Sequence, residues 1–164
     1  MLRYVDLLSD LMLVRRLQPF QSNMGKRLVK APRVFVRDSG IVHALLNIVD
    51  EEALLGHPVA GASWEGFVIE NLLAAAPLGS VPLFYRTAGG AEIDLLLEMP
   101  GHGLWAIEIK RGLSARLEKG FFVACEDVRP KKRFVVNPGK ERYPIGEDVE
   151  AIGLKEMASI LAAL

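Results

Sequence analysis

AEIDLLLEMPGHGLWAIEIKRG, residues 91–112, decides how the rest of this chain is read. Apolar and charged residues alternate on both sides of Pro100-Gly101-His102, which predicts two strands joined by a tight loop. Strict alternation puts Glu92, Asp94, Leu96 and Glu98 on one sheet face and Ile93, Leu95 and Leu97 on the other. On the second strand Glu108 and Lys110 share a face, opposite Ile107 and Ile109. With Pro100, Gly101 and His102 as a three-residue loop, Met99 pairs with Gly103 and Asp94 falls across from Glu108. Side chains directly opposite lie roughly 4.5–5.5 Å apart at Cβ, where like charges destabilise the pair. Two carboxylates so close draw a proton or a cation. Lys110 is one candidate cation. Mg²⁺ is another, because it is commonly held by one or two carboxylates together with water and phosphate. A solvent-facing salt bridge is the plainer alternative.

Outward from that hairpin, Val81–Arg86 (VPLFYR) reads as a strand just upstream, after a helix over Trp64–Ala76 with Ser63 as its N-cap. Trp64, Phe67, Val68, Asn71 and Leu72 spread over one side of that helix. Glu65 lies in its first turn, where a carboxylate is favoured by the helix dipole, and Glu70 is elsewhere on its surface. Downstream, Ser114 is expected to cap a helix running to about Val128. Lys132–Asn137 is a buried strand, Glu150–Gly153 a short one, and Leu154–Leu164 a closing helix. The order from Trp64 onward is helix, three-strand meander, helix, strand, which predicts a mixed α/β sheet with a helix on each face.

The 164 residues suit one domain with, at most, a small appendage. Half are apolar and a quarter charged, enough to bury a core. Cys125 is the single cysteine, so no internal disulfide forms, and its apolar run FFVAC predicts an inert buried thiol. No apolar run nears 18 residues and no signal peptide is visible, so the expectation is a soluble cytoplasmic protein without a membrane partner. Net charge is zero but unevenly spread. Residues 1–40 carry eight Lys/Arg against three acids, whereas residues 41–99 carry Arg86 alone against eight.

The basic part, residues 1–50, is expected to form an appendage, with the main domain over 60–164 and a Gly/Ala/Pro-rich loop from Glu51 to Ser63 between them. Residues 3–13 fit an amphipathic helix. Leu13–Leu17 and Lys26–Lys30 then read as a hairpin about Ser22-Asn23-Met24-Gly25. A helix followed by a basic hairpin has the shape of a partial winged helix, whose Arg15, Arg16, Lys26, Arg27 and Lys30 would lie along a phosphate backbone; a solvated hairpin is the equal alternative. Arg33–Asp38 follows as a strand with alternating Val34 and Val36, and Gly40–Val49 as an apolar helix in which His43 is structural. No phosphate loop is present: Gly25-Lys26 is followed by Arg and lacks the preceding glycine, so ATP has no such site here.

An acidic helix, then Asp94, then Glu108-Ile109-Lys110 on the next strand resembles the PD-(D/E)xK nuclease superfamily, whose restriction-endonuclease-like core has this element order. The stretches YVDLLSDLMLVRRL (4–17), NMGKRLVKAPRVFVRDSGI (23–41), WEGFVIENLL (64–73), YRTAGGAEIDLLLE (85–98) and AIEIKRG (106–112) are similar to the DUF4143 domain, which usually follows an AAA-type ATPase module. The resemblance implies that Asp94 and Glu108 bind Mg²⁺ or Mn²⁺. It further implies that Lys110 positions or polarises the attacking water, and that Glu65, with Glu70 as its rival, is the helix-borne acid. Arg111, Arg116 and Lys119, just beyond the motif, are candidates for contact with the flanking DNA backbone. The ATPase module and most of the winged helix are not in this sequence, which implies a truncated remnant or a fragment. The implied activity is metal-dependent phosphodiester hydrolysis of DNA. A non-catalytic binding or regulatory module of an ATPase system is the alternative.

Overall fold

The hairpin of residues 91–112 forms with the expected register, Met99 against Gly103 through Leu95 against Ile107. The computed structural model describes residues 2–21, 28–113, 116–146 and 148–164. In chain order the elements are α1 (Leu2–Asp10), β1 (Val14–Pro19), β2 (Arg33–Val36), α2 (Ser39–Leu45), α3 (Glu51–Gly56), α4 (Ala60–Ala75) and β3 (Val81–Arg86). There follow β4 (Glu92–Met99), β5 (Gly103–Ile109), α5 (Lys119–Val128), β6 (Lys132–Asn137), β7 (Tyr143–Pro144), β8 (Glu150–Gly153) and α6 (Leu154–Ala162). From α4 to β6 this is the expected order of helix, meander, helix, strand.

Among the described residues all the strands join one mixed sheet in the order β2-β1-β3-β4-β5-β6-β8-β7. The meander β3–β4–β5 is antiparallel, and α5 carries the chain across to β6, which runs parallel to β5. Parallel neighbours need such a crossover, because a tight turn can only reverse the chain. The sheet is buried on both sides. Val68, Ile69 and Leu72 of α4 and Met157 and Leu161 of α6 pack on Leu95, Leu97, Trp105 and Ile107. Phe121, Ala124 and Cys125 of α5 cover Ile93, Leu96, Ala106 and Val135 on the other side. Burial on both faces explains why Leu95-Leu96-Leu97 of β4 shows no alternation.

Several local expectations are corrected. The partner of β1 is β2, with Leu17 against Arg33, and not the described part of the expected second hairpin strand, residues 28–30. On its other edge β1 pairs parallel with β3. The 28–30 segment contributes an isolated bridge, Leu28 to Thr87, and the turn Ser22–Gly25 with Lys26 and Arg27 lies outside the described residues. In β2 the buried side chain is Phe35, while Val34 is exposed, because Phe35 packs over Gly66 of α4. The segment expected as a loop from Glu51 to Ser63 is largely helical. Asp50 caps α3 by accepting from the Ala53 amide at 2.8 Å. Helix α4 begins at Ala60, so Ser63 is no N-cap: it is buried inside the helix, 2.7 Å from His43 Nε2. Val68, Ile69 and Leu72 face inward, while Phe67 and Asn71, expected on the same side, are exposed. Helix α5 begins at Lys119 rather than Ser114, which lies outside the described residues. Among the described residues no helix is long and apolar enough to cross a membrane.

Candidate functional site

The register of β4 breaks at Asp94. Leu83 of β3 faces Leu96, but Tyr85 faces Ile93, so Asp94 and Leu95 together oppose Phe84 alone. One extra residue on a strand reverses the side-chain alternation beyond it. Ile93 therefore packs with Leu96 under α5 instead of sharing the face of Leu95 and Leu97. Strict alternation is thereby overturned at this one point, and Glu92 and Asp94 are freed from the face of Leu96.

Where the β4–β5 ladder ends, the Asp94 carboxylate replaces the backbone as hydrogen-bond partner. Its Oδ2 accepts from the Ile109 amide at 2.9 Å. The step beyond Leu95–Ile107 would set Asp94 against Glu108, and the charge of Asp94 does act on Glu108. Glu108 is buried, 9 % exposed, with one oxygen 2.9 Å from the Lys110 ammonium. Its other oxygen, Oε2, has no hydrogen-bond partner among the described residues. Burial first, then the negative charge of Asp94, raises the Glu108 pKa to about 7 against the opposing pull of Lys110. The Lys110 pKa is raised as well. Burial alone would lower its pKa, but the hydrogen bond and charge of Glu108 outweigh that and raise it, so the ammonium stays charged.

Glu65 reaches the same field from α4. Because α4 starts at Ala60, Glu65 is beyond the first turn and gains nothing from the helix N-terminus. Burial and the charge of Asp94 raise its pKa to about 7, although Arg33 works against both. Arg33, the first residue of β2, forms an ion pair with Glu65 and lies 3.5 Å from Asp94 and 3.7 Å from Glu92. Glu70 is engaged elsewhere. It accepts from Arg15 Nη2 at 3.1 Å and Arg37 Nε at 2.8 Å, and these partners outweigh its burial and lower its pKa. Between the two candidate helix acids, Glu65 is the one that shares a counter-ion with Asp94.

Trp64, beside Glu65, donates from Nε1 to the Lys110 carbonyl at 3.1 Å, while the Lys110 amide donates to Val136 at 2.9 Å. The end of β5 is thus pinned between α4 and β6. Sequence reasoning passed over Arg33, Glu92 and this use of Trp64. Arg33 carried a usable signal: in RVF the arginine shares its strand face with Phe35, an unusual place for a charge unless it is paired.

The expected basic contacts are dispersed. Arg15 is bound to Glu70, and Arg16 forms an ion pair with Asp6. Lys30, Arg111, Arg116 and Lys119 are exposed, the last at the start of α5. Lys26 and Arg27 lie outside the described residues. Among the described residues no three of His, Cys, Asp or Glu are disposed to hold one metal ion. The Cys125 thiol is buried and pushed up to about 11, chiefly by desolvation, in keeping with an unreactive sulfur.

A family model described as a domain of unknown function, DUF4143, matches residues 60–157, and a second such domain, DUF8612, matches residues 1–52. The Uncharacterized protein Rv2008c of Mycobacterium tuberculosis is 41% identical over 151 residues, which are 92% of this chain and 34% of that protein. The Uncharacterized protein Mb2031c of Mycobacterium bovis matches to the same extent. The chain therefore spans about a third of the length of these curated relatives. No solved structure matches it at a significant level.

Proposed function

The chain belongs to the DUF4143 family, and on that premise we propose that the acidic end of β4 and β5 is a nuclease-like site of the PD-(D/E)xK type, acting on DNA with Mg²⁺ or Mn²⁺. The observation that carries this reading is the unpartnered Oε2 of buried Glu108, in the electrostatic field of Asp94 and beside a protonated Lys110. A buried carboxylate oxygen without a partner is costly and calls for a proton or a cation. The donor set is all oxygen, which suits a hard dication. Two carboxylates are enough for Mg²⁺, whose other positions are commonly taken by water and substrate phosphate.

Each residue has a part that its surroundings support. Asp94 is held in one orientation by the Ile109 amide. Glu108 is steered by Lys110, which leaves Oε2 for a cation. When bound, the metal polarises the phosphoryl oxygen and lowers the pKa of a bound water. Lys110 stays charged, so it acts by orienting the water and offsetting charge on the phosphate, not by taking a proton. Glu65 is the further acid next to Asp94. Arg111, Arg116 and Lys119 are the exposed cations available to the flanking backbone. The test is cleavage of single-stranded, duplex and branched DNA in Mg²⁺ or Mn²⁺. Asp94→Asn and Lys110→Ala should each lower the rate by about 100-fold or more, with an unchanged circular dichroism spectrum. If the wild-type chain cuts none of these substrates, the enzyme reading is lost.

A second reading is favoured by two observations. Asp94 already has the Ile109 amide and Arg33 as neighbours, so the acids are partly neutralised from within. Tyr4, Leu7, Leu11 and Met12 near α1, with Leu45 and Val49 near α2, present exposed apolar side chains. Both suit a non-catalytic module docked within a larger assembly, such as one built with an AAA-type ATPase. Calorimetry separates the two: the absence of any Mg²⁺ binding that depends on Asp94 and Glu108 supports the inert module.

A further inference from the structure

Arg33 is the cation the acid cluster already has. It enters from β2, on the strand pair Leu17–Arg33, whereas the acids come from α4 and β4. Its guanidinium faces three carboxylates, Glu65, Asp94 and Glu92, and Arg86 reaches only the last, at 3.4 Å, so two positive charges meet three acids and Asp94 and Glu65 share Arg33. The three contacts are not alike. The ion pair with Glu65 is close, but Asp94 stands at 3.5 Å, well beyond the roughly 2.7–2.9 Å of a strong charge-assisted hydrogen bond. The guanidinium carbon also lies 5.2 Å from the centre of the Phe35 ring and 5.9 Å from that of Phe84. Those two ring faces and Glu65 give Arg33 a seat that does not depend on Asp94.

We propose that Arg33 is a built-in counter-cation that occupies the Asp94 side of the site in the metal-free protein and withdraws onto Glu65, Phe35 and Phe84 when a divalent cation binds. The inference rests on the metal-site reading above and adds to it a competition between two cations for one carboxylate. Arginine does not lose its charge in proteins, so the competition is resolved by movement and not by titration. A dication at Asp94 repels the guanidinium, and the loose 3.5 Å contact is the one that yields.

The test is Mn²⁺ binding by the whole chain at pH 8, followed by calorimetry for wild type, Arg33→Gln, Arg33→Lys and Asp94→Asn. Arg33→Gln should bind Mn²⁺ at least tenfold more tightly than wild type, Arg33→Lys within about threefold of it, and Asp94→Asn not at all. Wild type silent while Arg33→Gln binds would support the proposal equally. A second measurement needs no substitution at position 33. In wild-type protein labelled with ¹⁵N-arginine, the Arg33 side-chain signal should shift during a titration with diamagnetic Mg²⁺, with the midpoint that calorimetry gives for Mg²⁺. Metal binding that Asp94→Asn abolishes but Arg33→Gln leaves equal or weakens overturns the proposal and spares the metal site. An Arg33 signal unmoved at saturation does the same. If neither wild type nor Arg33→Gln binds metal, the metal site itself fails and the competition falls with it.

Discussion

Replacing Glu108 with Gln should make the metal-free protein more stable at pH 8 and leave it nearly unchanged at pH 5. The Glu108 carboxyl is raised from 4.5 to about 7, chiefly by desolvation and by Asp94. At about 1.4 kcal/mol for each tenfold change in proton affinity, holding it ionised costs the folded state roughly 3 kcal/mol. Sharing of charge with Asp94 and residual solvent reduce the expected figure to about 2 kcal/mol. A raised folded pKa means that the folded state binds the extra proton between pH 4.5 and about 7. Stability is therefore fully present below that window and is lost as pH rises through it. Gln mimics the protonated acid in shape and charge and keeps an oxygen for Lys110. The variant should escape the Glu108 part of the loss while retaining the Glu65 part, since Glu65 is raised to a similar value. Glu65→Gln/Glu108→Gln together should give a nearly flat profile. Urea unfolding from pH 5 to 8.5 in EDTA reads this directly. A Glu108→Gln protein less stable than wild type at pH 8, or one with the wild-type pH slope, would refute the placement there of an ionisable acid with one unpartnered oxygen.

Glu70→Ala leaves Arg15 and Arg37 without their shared carboxylate. For this partly exposed triad, removing the anion should cost about 2 kcal/mol in urea unfolding, below the range for fully buried pairs, with divalent-metal affinity unaltered. Gly120→Ala would set a Cβ 2.4 Å from the Gly90 carbonyl oxygen, a contact that backbone must move to relieve. The melting temperature should drop by several degrees, consistent with a loss of about 1–3 kcal/mol. Gly61→Ala in α4 meets nothing within 4 Å. It should be neutral or slightly stabilising, by up to about 1 kcal/mol, which makes it the control for Gly120.

The hairpin, its three-residue loop and the element order from α4 to β6 were legible in the sequence. They rest on local rules: alternation, turn residues, and the need for a crossover before a parallel strand. The four residues Glu65, Asp94, Glu108 and Lys110 were also named there, through spacing that resembles a known pattern. What they touch was not. Periodicity cannot register a bulge when positions 93, 95, 96 and 97 are all apolar, since either alternation is satisfied. The start of α4 was read four residues late because a buried Ser63 looks like a cap when its partner, His43, is twenty residues away.

Choice between Glu65 and Glu70 belonged to the tertiary structure alone. Both acids lie on the same helix, and nothing local separates them. Arg15 and Arg37 neutralise one, whereas Arg33, Asp94 and Glu92 surround the other. By itself the sequence determined the meander, the helices that flank it, the strand after it and which charges are at hand, because those follow from neighbours along the chain. Only the folded sheet decided which charge meets which, because β1 and β2 pair and bring Arg15, Arg33 and, just beyond β2, Arg37 to α4. The orphaned oxygen of Glu108, where β5 leaves β4, and the seat of Arg33, on β2, exist only in the folded sheet.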